Sequence, residues 1–83
     1  MLRSSGGNLR IHELTVTNGS SLENKTIQGS ALKEKFDILV LASRDPGQTD
    51  IHFNPPVSKT LTEGTTLMVM GDVENIAKAR AVA

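Results

Sequence analysis

The sequence has 83 residues, with nine basic and nine acidic side chains, no Cys, Trp or Tyr, and two Phe. One small domain of this size buries only roughly 60% of the surface its unfolded chain exposes, and with no disulfide or cysteine metal site to reinforce it a partner subunit is expected. Zero net charge and two aromatic residues argue against nucleic-acid binding, and the longest apolar run, Ile38 to Ala42, is far short of the about 20 residues that cross a bilayer, so direct membrane insertion is not expected either.

Met1 to Asn8 is polar and contains Gly6 and Gly7, which reads as a linker or frayed entry; the domain is expected over 9–83. Leu9 to Thr17 alternates as a strand, but its phase changes: Leu9 and Ile11 share one face, Leu14 and Val16 the other. A bulge near His12 and Glu13 would reconcile the two halves. Asn18 to Ser21 is a turn cluster. Thr26 is then the expected N-cap of a short helix reaching about Lys35, with Ile27, Ala31 and Leu32 as its apolar stripe.

Ile38 to Ala42 is too short for a typical helix and fits a central strand covered on both faces. Asp45-Pro46-Gly47 forms a turn, Ile51 and Phe53 alternate as a short strand, and Pro55-Pro56 ends it. Val57 to Thr62 reads as a connector. Thr66 to Met70 is another strand, with Leu67 and Val69 opposite Met68 and Met70, and the two Met are expected to fill one face of a core. Asp72 is the candidate N-cap of a last helix whose apolar face is Val73, Ile76, Ala77 and Arg80, with Lys78 and Arg80 near its negative end. The fold class is therefore α+β, a small, mainly antiparallel sheet with helices, in the order β-α-β-β-β-α.

Few residues point to chemistry. His12 and His52 lie in expected strands with no nucleophile-elbow sequence beside them, and Asp50 with His52 supplies only two ligands on one strand face, short of a metal site. Neither GxGxxG nor GxxxxGK[ST] occurs, so a phosphate-cradling loop is absent. Asn18-Gly19-Ser20 and Asn24-Lys25-Thr26 match the glycosylation pattern, yet ordinary turn chemistry explains both. No catalytic constellation emerges, and no enzymatic activity is expected.

Residue order is more informative. LRIHELTV is followed by SSLENKTIQGSAL, similar to an "S.L.GKTL....L" segment, and by DILVLASRD, similar to "...VVAI.R.G". FNPPVSKTLTEGTTLMVMG then parallels "..P.P...L..GD.L.V.G", and ENIAKA follows its last glycine. In this order the segments resemble the C-terminal domain of the regulator of potassium conductance family, the RCK C-terminal or TrkA-C domain, from Leu9 to about Ala79. Two departures stand out. Asn24 replaces a frequent Gly, which is tolerable because Asn visits the left-handed region, and Thr65 replaces a usual Asp, which puts a local turn contact in question. Met1 to Arg3 is similar to the stretch that follows the N-terminal RCK domain in potassium-channel members.

The resemblance implies a non-enzymatic cytoplasmic domain of an inner-membrane transport protein, attached to an N-terminal RCK domain and a membrane pore. It implies a homodimer that senses a small ligand in a cleft at its interface and gates a potassium channel or uptake system by rearranging. The implied ligand is a small molecule or ion, with cyclic di-AMP or another small anion as the candidate, while the residues themselves lead to no expected cofactor or metal site. In ligand-binding members that cleft lies near the end of the second strand and along the next one, which here supplies Arg44, Ile51, His52, Phe53, Asn54 and Pro55. Arg44 suits a phosphate, Asn54 a base or phosphate, Ile51, Phe53 and Pro55 a ring, and His52 adds a pH-sensitive charge. Two other settings fit the same fold: a cation/proton antiporter or anion symporter, and a passive dimerisation module without a small-molecule ligand.

Overall fold

The computed structural model describes residues 9–83; the expected entry segment, Met1 to Asn8, lies outside them. The elements are β1 (Leu9–Thr15), α1 (Ile27–Ser30), α2 (Leu32–Phe36), β2 (Leu39–Arg44), β3 (His52–Phe53), β4 (Thr66–Asp72) and α3 (Val73–Val82). The strands form one antiparallel sheet in the order β1-β4-β2-β3. This is the α+β class expected from the sequence, with the order β-α-α-β-β-β-α.

The helices cover one face of the sheet, and the core lies between them. Leu14, Leu67 and Val69 project from the sheet toward Leu32, Ile38, Ile76 and Ala79, all of them buried. Burying these side chains is the main favourable contribution to folding, at about 1.5–3 kcal/mol for each large one. Gly71 permits the closest approach: a Cβ there would stand 3.2 Å from Ile38 Cγ1 and 3.3 Å from the Asp37 carbonyl.

Several local expectations need correction. No bulge interrupts β1, whose pairing with β4 runs in constant register from Leu9↔Asp72 to Thr15↔Thr66. The change of phase is real because the strand carries apolar residues on both faces: Leu14 points into the core, while Leu9 and Ile11 point away from it and are exposed. The sheet's irregularity lies in β2 instead, between Val40 and Ala42. Strand β2 is internal as expected, but Leu39 is 42% exposed, so only one of its faces is covered. Likewise Met68 and Met70 are only half-buried, because they sit on the uncovered face.

The helix expected from Ile27 to about Lys35 is two short helices. Ala31 between them has φ 57°, a left-handed conformation that breaks the hydrogen-bond ladder. Thr26 caps the first of them as expected, its hydroxyl accepting from Gly29 N at 2.9 Å. Residues 57–61 are more than a connector. Gln28 N donates to Val57 O, Ile27 N to Lys59 O, and Asn24 N to Leu61 O, which fixes Leu61 in the core. Asn24 has φ 67°, in keeping with the tolerance expected of Asn, and the Thr65 hydroxyl lies 3.1 Å from that of Thr62, supplying a turn contact of its own. In α3 the Asp72 carboxylate accepts from Glu74 N at 2.9 Å as expected. Its buried face is Ile76, Ala79 and the following Ala83, whereas Val73, Ala77 and Arg80 are exposed.

Candidate functional site

Strand alternation sorts the side chains of the sheet onto two faces. Away from the helices β1 presents Leu9, Ile11, Glu13 and Thr15, and β4 presents Thr66, Met68 and Met70. The register places Leu39 and Ala42 of β2 beside Met70 and Met68, Arg44 beside Thr66, and Phe53 of β3 beside Ala42. Among the described residues no element covers this face: Ile11 is 55% and Phe53 80% exposed, and Leu9 and Leu39 are exposed. Ile51, the residue before β3, is exposed as well. A contiguous apolar sheet face open to water on a chain of this size marks a surface that binds something.

The six residues expected at a ligand site fall in three places. Arg44 stands at one end of the open face, with Phe53 on the neighbouring β3 and the exposed Ile51 just before that strand. Asn54 and Pro55 line a groove of about 300 Å³ between the open edge of β2 and the short helices, together with Ile27, Leu32, Leu39, Val40 and Val57. The groove exists because β3 pairs only with Ala42 and Ser43, leaving Leu39 and Val40 without a strand neighbour on that side. Asn54 holds the turn out of β3 in a left-handed conformation, φ 51°, and donates its backbone N–H to Leu41 O at 2.8 Å.

His52 is the exception. Its register partner is Ser43, whose side chain belongs to the helix-covered side, so His52 points away from Arg44 and Phe53. It lines a separate depression of about 260 Å³ with Ser43, Asp45, Pro55, Pro56 and Lys59. There Lys59 Nζ donates to Asp45 Oδ1 at 2.7 Å. That bond holds the Asp45 carboxyl below its ordinary pKa against the opposing effect of desolvation, with the Lys59 and His52 charges adding smaller lowering contributions.

Sequence reasoning missed the largest element of the site, the open face built by Leu9, Ile11, Leu39, Met68 and Met70. The signal was present in the phase change along β1, since apolar residues on both faces of an edge strand require two apolar environments. Among the described residues no three His, Asp or Glu side chains gather into a metal site, and no helix is long and apolar enough to cross a membrane.

The TrkA-C domain model matches residues 11–83. No curated protein matches the chain in sequence. Among solved structures, the RCK C domain of the potassium transport protein KtrA in complex with cyclic di-AMP superimposes with a TM-score of 0.77 at 18% identity, covering 88% of this chain and 81% of that one. The GsuK channel bound to NAD gives 0.75 at 21% identity, but this chain spans only 13% of it while 90% of this chain is covered. The RCK_C domain dimer of S. agalactiae BusR in complex with cyclic di-AMP gives 0.76 at 18% identity, with coverage of 92% and 91%. BusR has also been solved with its busAB-promoter DNA, where this chain matches 38% of a longer chain. At these identities the likeness is one of fold.

Proposed function

Because the chain belongs to the TrkA-C domain family, we propose that it is a ligand-sensing regulatory domain, without enzymatic activity, of a potassium channel or potassium uptake system. Two copies pack through the open face of the sheet, and a small anionic ligand shifts their arrangement. The observation that carries this reading is the uncovered apolar face itself, with a cation, Arg44, at its end. An 83-residue chain gains stability by sharing such a face with a second copy, and the solved BusR domain of similar fold is a dimer.

The ligand contacts are Arg44, Ile51 and Phe53 at the end of the face and Asn54 and Pro55 at the adjoining groove. Arg44 supplies the charge that a phosphate requires, and the apolar side chains supply contact for a ring. His52 takes no part, since it faces the other side of the sheet. Cyclic di-AMP, the ligand in the KtrA and BusR structures, and NAD, the ligand in GsuK, are the compounds to test first. A ligand can move the equilibrium between two dimer arrangements only by its differential affinity for them, and the movement passes through an N-terminal RCK domain to a membrane pore. On this reading the domain is cytoplasmic, residues 9–83 form the folded unit after a linker of residues 1–8, and the domain itself does not contact nucleic acid, consistent with its zero net charge.

Sedimentation equilibrium of the chain with and without cyclic di-AMP and NAD tests the proposal. A dimer whose dissociation constant falls with one of them supports the sensor. A dimer indifferent to both refutes ligand sensing by these compounds and favours passive dimerisation, and a monomer under every condition overturns the reading.

A further inference from the structure

We propose, resting on the reading that two copies pack through the open sheet face, that Glu13 of each copy pairs with the partner's Arg44 across a two-fold axis running along β4. The open face has a simple layout. Strand β4 lies in the middle, flanked by β1 and β2, and three rows of side chains cross it: Ile11–Met70–Leu39, Glu13–Met68–Ala42 and Thr15–Thr66–Arg44.

In these three rows the ionisable side chains are an acid on the β1 side and a base on the β2 side; the row beyond them, Leu9–Asp72, carries Asp72, whose carboxylate is engaged by Glu74 N at the start of α3. Among the described residues neither Glu13 nor Arg44 makes an ion pair or a side-chain hydrogen bond. They cannot readily satisfy one another within a chain, because β1 and β2 stand two strand spacings apart, about 10 Å, with Met68 and Thr66 between them. Arg80 does not neutralise Glu13 either, since its guanidinium donates to the Glu13 backbone carbonyl, at 2.9 Å.

A symmetric dimer joins one patch to itself, so a residue i that meets j also receives j in return. When two sheets pack face to face with their strands nearly aligned, a two-fold axis along the middle strand exchanges the β1 side of one copy with the β2 side of the other. Ile11 then meets the partner's Leu39, both exposed in the single chain, and the two Met of β4 lie along the axis. The same operation sets Glu13 opposite the partner's Ala42, with the partner's Arg44 one row further along the strand, about 7 Å on and within reach of two long side chains, twice per dimer. Any arrangement that superposes Glu13 on Glu13 or Arg44 on Arg44 instead sets like charges together in a partly dry interface, which gives the charges a role in selecting register. An anion that engages Arg44 competes with the partner's Glu13 for it, so ligand binding and register are linked through one side chain.

Charge reversal tests the pairing by sedimentation equilibrium of the 83-residue chain, with circular dichroism of each variant. Glu13→Arg and Arg44→Glu are each expected to raise the dimer dissociation constant about tenfold or more, since each sets two like-charged contacts in the interface. The double variant Glu13→Arg/Arg44→Glu is expected to recover dimerisation to within about threefold of the parent. An equimolar mixture of the two single variants is expected to form a heterodimer, because each chain carries the charges the other lacks. Folding failure does not imitate this result, as two unfolded variants do not rescue each other on mixing. If the parent dimerises but the single reversals leave it unchanged, or neither the double variant nor the mixture recovers, the register is wrong while the dimer stands. A parent that stays monomeric refutes the dimer itself.

Discussion

Replacing Ile11 by Ser removes apolar surface from the open face without touching the core. Ile11 is 55% exposed in the single chain, and complete burial of such a side chain is worth about 1.5–3 kcal/mol. Covering the exposed half on dimerisation therefore contributes roughly 0.8–1.6 kcal/mol per copy, and the two copies together about 1.5–3 kcal/mol. Ile11→Ser is expected to raise the dimer dissociation constant by about 10- to 150-fold, read by sedimentation equilibrium over a concentration series. The loss of β propensity costs the fold up to about 1 kcal/mol, so the monomer remains folded by circular dichroism. His12→Ser is the control, because His12 is exposed on the same strand but points to the opposite face. Equal dissociation constants for Ile11→Ser and the parent, or a loss with His12→Ser as large as with Ile11→Ser, would refute the assignment of the open face as the interface.

Three further outcomes follow from local geometry. Gly71→Ala is expected to lower stability by about 1–3 kcal/mol in urea unfolding, because the new Cβ would stand 3.2 Å from Ile38 Cγ1 and 3.3 Å from a carbonyl oxygen; an unchanged midpoint would mean that the Ile38 packing gives way freely. Ala31→Gly is expected to raise the melting temperature, since Ala31 holds φ 57° at a cost of about 1 kcal/mol that Gly does not bear, and a lowered Tm contradicts it. The Lys59–Asp45 pair lowers the folded pKa of Asp45 below 3.8, so its contribution is present above that value and is lost as pH falls through the lower folded one. Asp45 is 42% exposed and the pair is worth at most about 1 kcal/mol, so Lys59→Met is expected to be slightly less stable than the parent at pH 7, with the difference shrinking as pH falls below 3.8, whereas a difference independent of pH rules out the ion pair as its source.

Local residue order was enough for the type and order of most elements. Alternation along 66–70, the proline stop after Phe53, Thr26 and Asp72 at helix starts, and the glycine after Met70 are local signals, and each acts over a few residues. It also placed the family, because five weak motifs in one order constrain a chain more than any one of them does. What it could not settle were properties that arise between segments. Leu61 is a core residue because 24–28 and 57–61 bond to each other across the fold, and the break at Ala31 has no counterpart in the local pattern of 27–35. Only the tertiary structure showed that His52 faces away from Arg44 and Phe53, because register in a two-residue strand is fixed by its neighbour and not by its own pattern. The open face was decided at the same level. Leu9, Ile11, Leu39, Met68 and Met70 are apolar in the sequence wherever they point, and only the placement of the described helices on the other side of the sheet leaves them exposed or half-buried there.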